Sequence, residues 1–541
     1  MLSRLNRLGA ILAGLVAALA WSGSAAPATL TPVEREELRA YPHALVLASN
    51  PQAAARLRRF GGVRIAHSVP VWRVGGNVAV RLAPFADVVV PDRFLRAVSH
   101  FGSGDPLVAE QWWINAIGAG SVEPPGPGKP VTVIDTGIDL THPEFAGRPA
   151  TTALNNQSVV GPLEEHGTAV ASVIAAPANA QGVVGVYPQA ALQTWDATPS
   201  GGGISIAEVV AGIDAAMRRG PGVINLSLGS RFRDPLLEVV IAAAFGSGSL
   251  VVAAAGNERG RGSPLSYPAT YPHVLTVGAI DQSGRSAAFS SGSPYVDLVA
   301  PGQGIPVAVP ITVGPTGYVH ASGTSFAAPL AAGAAAWVWT ARPTLHVTQL
   351  FDLMRSATRD IEARGFDPFT GFGRLDIPTA LTARPLALDP QEPNEDIDYV
   401  KPRRLFVQGS RPLNTPRRLR ANLRGRLDFA EDGRDVYRVW VPGRRLTAIS
   451  VSPTADVDLA LWGPRTVSVF ETGRVRRRDL RSLSEKPGRR REVVRVRNRS
   501  RRGAYHYVEV YTGSSGPPVR RVGAVSYKLS LSTARLRAAR R

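Results

Sequence analysis

Three polar side chains stand where a chain can aim them. Asp135 closes the apolar run VTVID and is followed by Thr136 and Gly137. His166 opens HGTAVASVIAA, and Ser325 lies in GTSFAAP ahead of a long small-residue run. A hydroxyl, an imidazole to take its proton and a carboxylate to orient that imidazole are the parts of an acyl-transfer triad. Each residue alone has a plainer reading. Asp-Thr-Gly is a strand-ending turn, His166 a hydrogen bonder at a helix start, and Ser325 a helix N-cap. The force lies in the set.

Other chemistries are poorly supported. The chain has no cysteine, which excludes thiol catalysis, Cys-based zinc sites and disulfides. No second Asp-Thr/Ser-Gly accompanies Asp135, so a two-carboxylate protease site lacks its partner. The nine histidines show no His-x-x-x-His pair for zinc.

Repeated strand-helix alternation must position these residues. VTVID, LQTWDA, GVINLSLG and SLVVAAAGN read as strands. HGTAVASVIAA, ISIAEVVAGIDAAMRRG and LLEVVIAAAFG read as helices between them. The strand runs are apolar throughout, as strands buried on both faces are. The pattern predicts a three-layer α/β domain with a mostly parallel sheet, whose ligand sites lie beyond the C-terminal strand ends. Asp135 sits at such an end.

The order Asp, His, Ser is that of the subtilisins. VTVIDTGID, HGTAVASVIAA and SGTSFAAPLAAG resemble the three signature blocks of the subtilisin-like serine proteases (peptidase family S8). VINLSLG and VVAAAGNE resemble two further blocks. The resemblance runs in order from about 104 to 380. It implies Ser325 as nucleophile, His166 as base and Asp135 as the group that orients it. It implies the Asn257 side-chain amide as an oxyanion donor beside the backbone N–H of Ser325. Ser227, Leu228 and Gly229 would pair with an extended substrate. Read alone, Asn257 is a turn former and Ser227-Leu228-Gly229 a strand end. Phe326 and Leu330 depart from the methionine and histidine of many relatives; both are apolar here, so altered packing is expected rather than lost chemistry. The resemblance requires no cofactor. It leaves calcium open, with no ligands assignable and no metal site evident in the motifs.

The 541 residues divide further. MLSRLNR, an apolar stretch and SGSAAPA make residues 1–28 a secretory signal, too short in its apolar run to span a membrane. Residues 29–103 read as a small α+β unit that loosely resembles the family's propeptides. HALVLAS, VRIAHSVPVW and GGNVAVRLA are its expected strands, and PQAAARLRRFGG its helix. Residues 104–385 hold the catalytic blocks, and 386–403 form a Pro- and charge-rich linker. Residues 404–541 carry short β-like runs, predicting a β-sandwich that resembles the prepeptidase C-terminal domain. Within it, 474–502 is expected to be a basic loop or hairpin.

The formal charge is +20, and residues 401–541 carry 35 basic and 11 acidic side chains, so the basic character belongs to that quarter alone. Such an excess suits an anionic surface or polymer; an arginine-biased solvated face would give the same count. The expectation is a secreted or cell-surface monomer acting on proteins or peptides, with its own propeptide as inhibitor and chaperone. The alternative is a surface-binding protein whose basic domain carries the main function while the protease serves self-processing.

Overall fold

The structure is a computed structural model. It describes residues 30–536 apart from 41, 49, 65–70, 92–103, 158–164, 199–202, 405–408, 429–431, 471–472 and 513–523. The signal segment lies outside the described residues. The chain forms two compact units, residues 1–96 and 97–541.

In the first unit, four short antiparallel strands carry helices on an apolar core of Leu38, Val46, Leu57, Trp72 and Leu82. His43–Leu47 is a strand and Pro51–Arg59 a helix, as expected; of the run VRIAHSVPVW, Val63–Arg64 is a strand, 65–70 lie outside the described residues, and Val71 and Trp72 begin a separate strand, Val71–Gly75. GGNVAVRLA is not a strand: Gly76–Leu82 is helical. The alternating valines suggested period two. The buried residues are Gly76, Ala79 and Leu82, three apart, and burial sets the helical period.

The second unit begins with the α/β domain. Its strands are β1 (Val131–Asp135), β2 (Leu192–Asp196), β3 (Val223–Leu226), β4 (Leu250–Ala254), β5 (Val274–Ile280) and β6 (Leu298–Pro301). They lie side by side in the order β6-β5-β4-β3-β1-β2, all parallel. Every residue of β1, β3, β4, β5 and β6 is buried, which accounts for their largely apolar sequence. Helices α1 (Glu165–Ala175) and α4 (Thr324–Ala341) cover one face, packing on Val131, Val133, Val252 and Val277. Helices α2 (Ile206–Arg219) and α3 (Pro235–Gly246) cover the other, packing on Ile134, Ile224, Val251 and Val274. The direction of strand addition reverses at β1, which has β2 on one side and β3 on the other. A crevice opens at such a reversal, and Asp135 stands at its edge.

Helix α5 (Val347–Ser356) and a short further stretch through residue 382 complete this domain, and the chain then leads into two four-stranded antiparallel sheets. One contains β7 (Ala421–Asp428), β14 (Ala524–Arg535), β9 (Arg445–Pro453) and β12 (Glu492–Asn498), in that spatial order. The other contains β8 (Arg434–Val441), β13 (Ala504–Thr512), β10 (Val457–Trp462) and β11 (Leu480–Ser484). Both sheets feed one core through Leu427, Ile449, Val451, Val439, Leu459 and Val508, so the predicted sandwich is present. One detail differs from expectation. The basic segment is not a loop or a single hairpin: Gly473–Asp479 is a helix, α6, and β11 and β12 join different sheets. The Pro- and charge-rich linker carries a packed element of its own. Ile397–Val400 form a helical turn whose Ile397 and Val400 are fully buried against Val436 and Trp462.

Candidate active site

β1 delivers Asp135 with 1% of its surface exposed. Its Oδ1 accepts the Thr136 N–H at 2.8 Å and lies 2.7 Å from His166 Nδ1. The first turn of α1 brings His166 there because Gly167 lets the helix meet the β1 exit. A Cβ on Gly167 would stand 2.0 Å from the Gly137 carbonyl oxygen. Thr136 Oγ1 accepts the Gly167 N–H at 3.0 Å, pinning the same junction. The Asp135 charge, with burial opposing it, raises the His166 pKa above its ordinary value of 6.5. The contact fixes Nδ1–H toward the carboxylate and leaves Nε2 free of it, to act as base.

Helix α4 delivers Ser325 in its first turn, after Gly323 at the N-cap. Among the described residues, no hydrogen bond joins Ser325 Oγ to His166 Nε2. Ser325 Oγ instead donates to the Ser227 carbonyl at 3.4 Å. Such bonds are often loose without substrate and tighten in the reacting complex. The Phe326 ring lies 6.0 Å from the His166 ring, centroid to centroid, and is buried, in keeping with a packing role. Leu330 is fully buried.

Pro329 sits inside α4 rather than at its edge. It has no N–H to give the carbonyl four residues back, which is that of Ser325. Ser227 Oγ donates to that carbonyl at 2.9 Å. Asn225 Nδ2 in turn donates to Ser227 Oγ at 3.0 Å. The missing helix bond thus ties the segment after β3 to the nucleophile's turn.

Asn257 follows β4, and Gly256, at a φ of +103°, makes the turn that swings it outward. Asn257 Oδ1 accepts from Thr324 N–H at 2.9 Å and Thr324 Oγ1 at 3.0 Å. The amide oxygen is held, so Nδ2 points away from Thr324. Thr324 also accepts the Gly256 N–H at 3.1 Å, which closes a ring of bonds around Asn257. Sequence reasoning missed Thr324; its only signal was its place next to Ser325.

Ser227, Leu228 and Gly229 form one wall of a cleft of about 470 Å³ that also reaches Asn257, Ser325 and Ala254. Gly229 faces Ser266, where a Cβ would come within 2.5 Å of Ser266 Oγ. Glu258 and Arg261 line the cleft as well, and neither was singled out from sequence. A second cleft of about 450 Å³ lies beyond Leu228, among Thr136, Ile204, Val209, Leu237 and Tyr267. All seven residues named from sequence for catalysis and substrate contact therefore lie at the two helix starts and the ends of β1, β3 and β4.

The sequence model of the subtilase family, peptidase S8, matches residues 126–373. Subtilisin from Bacillus pumilus is 36% identical over 255 residues, which is 46% of this chain and 90% of that protein. Subtilisin amylosacchariticus from Bacillus subtilis subsp. amylosacchariticus is 38% identical over 231 residues, 42% of this chain. The chain spans 59% of the length of that relative. The solved subtilisin-like protease Apa1 from Pseudoalteromonas sp. AS-11 is 20% identical, with a TM-score of 0.44, over 50% of this chain and 96% of its own.

Proposed function

Because the chain belongs to the subtilase family, we propose that it is a secreted serine endopeptidase that cleaves peptide bonds through an acyl-enzyme. The contact between His166 Nδ1 and buried Asp135, 2.7 Å long, is the observation that carries this reading. A substrate pairs its backbone with Ser227-Leu228-Gly229 as an added strand. Its arrival displaces Ser325 Oγ from the Ser227 carbonyl. His166 Nε2 takes the Ser325 proton as Oγ attacks the scissile carbonyl, and Asp135 offsets the imidazolium charge. Asn257 Nδ2 and the Ser325 N–H hold the developing oxyanion. That N–H has no intrahelical acceptor and lies at the positive end of α4. His166 then protonates the leaving amine, and water repeats the sequence on the acyl-enzyme.

A labelled fluorophosphonate is expected to modify the wild type at Ser325 and to leave Ser325→Ala unmodified. The substitution should remove peptide hydrolysis; losses of a triad member reach about a million-fold in kcat. Hydrolysis near the wild-type rate by Ser325→Ala would sink the assignment. The 29–103 unit acts as propeptide in this reading, and the mature enzyme is a monomer.

A second reading places a binding role in the sandwich. Arg424, Lys528, Arg495 and Arg497 are exposed and share the outer face of the β7-β14-β9-β12 sheet, over a floor of Ser526, Ser532 and Ala448. An anionic polymer fits that face. Full-length Ser325→Ala should bind polyanions with an affinity that falls steeply with salt. No binding at low salt would remove this reading.

A further inference from the structure

Two loops border the cleft beside Ser325, and each brings an arginine to it. Ser230 and Tyr267 exchange two backbone hydrogen bonds, each 2.8 Å long. These bonds tie the segment after β3 to the loop that returns from β4. Arg231 follows Ser230 directly. Arg261 ends the short turn Arg259–Arg261 on the other loop. Both arginines line the cleft together with Ser325, and both are exposed, so they stand at its rim.

Neither guanidinium is engaged. Among the described residues, no carboxylate pairs with Arg231 or Arg261, and neither side chain makes a hydrogen bond. The next arginine along each loop behaves differently. Arg233 pairs with Glu238 at 2.7 Å. Arg259 lies 4.0 Å over the Phe369 ring and donates to Ser286 Oγ at 3.1 Å. The carboxylate in the cleft lining is that of Glu258. It is turned back on its own backbone: its Oε2 accepts the Asn257 N–H at 2.9 Å, and a Cβ on Gly256 would stand 2.9 Å from the same oxygen. The Glu258 N–H donates to Ser291 Oγ at 2.9 Å and holds the turn. Two cations therefore face the cleft against one anion that is already occupied. A cleft lined by an excess of one charge concentrates groups of the other.

We propose that Arg231 and Arg261 make the enzyme select an acidic side chain, glutamate or aspartate, on the residue whose carbonyl Ser325 attacks. The proposal rests on the peptidase reading above and adds a substrate class to it. With that carbonyl between Asn257 and the Ser325 N–H, and the substrate strand along Ser227-Leu228-Gly229, the side chain of the attacked residue enters the cleft that these residues line. A guanidinium meets a carboxylate with paired N–H donors, the geometry in which arginine binds anions best. The two arginines come from different loops, so a carboxylate can be gripped from both sides. Ser266 Oγ stands beside Gly229, where a Cβ would come within 2.5 Å of it, and supplies a hydroxyl donor on the same wall. An amide of the same shape would forgo the charge that both guanidinium groups favour.

The test compares peptides that differ only at that residue, as the pairs Glu and Gln, and Asp and Asn. Each acid matches its amide in shape, so the ratio of their kcat/KM values reports charge. At low salt the wild type should favour at least one acid over its amide by about tenfold or more, since hydrogen bonds to a charged group are the strong kind. Salt at about 0.5 M should shrink that ratio, because charges at a rim are screened. Arg231→Gln and Arg261→Gln should each lower the ratio several-fold, and the double variant should bring it to one. The amide peptide is the internal standard within each variant, and fluorophosphonate labelling of Ser325 reports an assembled site. Wild-type ratios at or below one for both pairs overturn the proposal and leave the peptidase reading standing. An acid preference that persists in the labelled double variant overturns it as well. Failure of the wild type to cleave any of the four peptides or to be labelled would instead sink the peptidase reading. If the arginine variants do not fold, the wild-type ratio and its fall with salt decide alone.

Discussion

Thr324→Val tests whether the oxyanion donor is aimed by its neighbour. Valine keeps the shape of threonine and removes the hydroxyl. The backbone bond from residue 324 to Asn257 Oδ1, 2.9 Å long, survives. The 3.0 Å bond from the hydroxyl is lost, and the Gly256 N–H loses its acceptor. A neutral hydrogen bond contributes about 0.5–1.5 kcal/mol. If that much aiming is lost in the transition state, kcat should fall roughly three- to tenfold with KM little changed, since tenfold is about 1.4 kcal/mol. Removing the donor itself, Asn257→Ala, should cost about a hundred- to a thousandfold. The assay is steady-state hydrolysis of a chromogenic peptide by both single variants and the double variant. Thr324 acts through Asn257, so adding Thr324→Val to Asn257→Ala should cost almost nothing further. A full second loss in the double variant would refute the reasoning and give Thr324 a separate role.

Three further outcomes follow from the same geometry. Asp135→Asn should lower kcat about ten-thousandfold. Asp135 raises the His166 pKa, and the base form is lost as pH falls through that raised value. The acid limb of kcat/KM should therefore lie above pH 6.5 in the wild type and move to lower pH in the variant; an unmoved limb would contradict the contact. Glu144 is buried beneath Tyr318, and burial pushes its carboxyl from 4.5 up to about 7. The folded chain keeps that proton between those values while the unfolded chain has released it, so stability is full below pH 4.5 and declines toward pH 7. The decline amounts to roughly 3 kcal/mol. Glu144→Gln in the Ser325→Ala background should abolish it in calcium-free urea titrations, and parallel curves would contradict this. Gly167→Ala should yield no folded protein, because its Cβ would meet the Gly137 carbonyl oxygen at 2.0 Å, whereas Gly203→Ala, with nothing within 4 Å, should fold normally; comparable soluble yields would show that the α1 junction can give way.

Legibility in the sequence followed the range of the interactions. The α/β layers could be read because a strand buried on both faces is apolar at nearly every position; VVAAA meets that condition locally, and VTVID departs from it only at Thr132 and the terminal Asp135. The three triad residues could be read because each lies next to a strand end or helix start. What failed depended on partners far along the chain. GGNVAVRLA looked like a strand because two valines alternate; the core it packs on selected Gly76, Ala79 and Leu82 instead. The consequence of Pro329 within α4, a Ser325 carbonyl without a helix bond, is visible only once Ser227 is seen 98 residues away in sequence. Thr324 offered no local sign that its hydroxyl reaches Asn257.

The acidic stretch 389–396 shows the same limit from the other side. EPNED lies in the stretch read from sequence as a Pro- and charge-rich linker, and nothing local tells that its carboxylates are buried. Their neighbours in the fold are distant in sequence. Asp432, close to Glu392, lies 40 residues beyond it, and His273, which contacts Glu395, lies 122 residues before it. A helical turn at Ile397–Val400 then seals the stretch against Val436 and Trp462. The stretch is consequently held by apolar contact on one side and by the contacts of its carboxylates on the other. Of these, only the second depends on charge. A substitution that unbalances the carboxylates should therefore loosen residues 389–396 first, while β1, α1 and α4, packed in the core of the α/β domain, keep the Asp135–His166 pair intact.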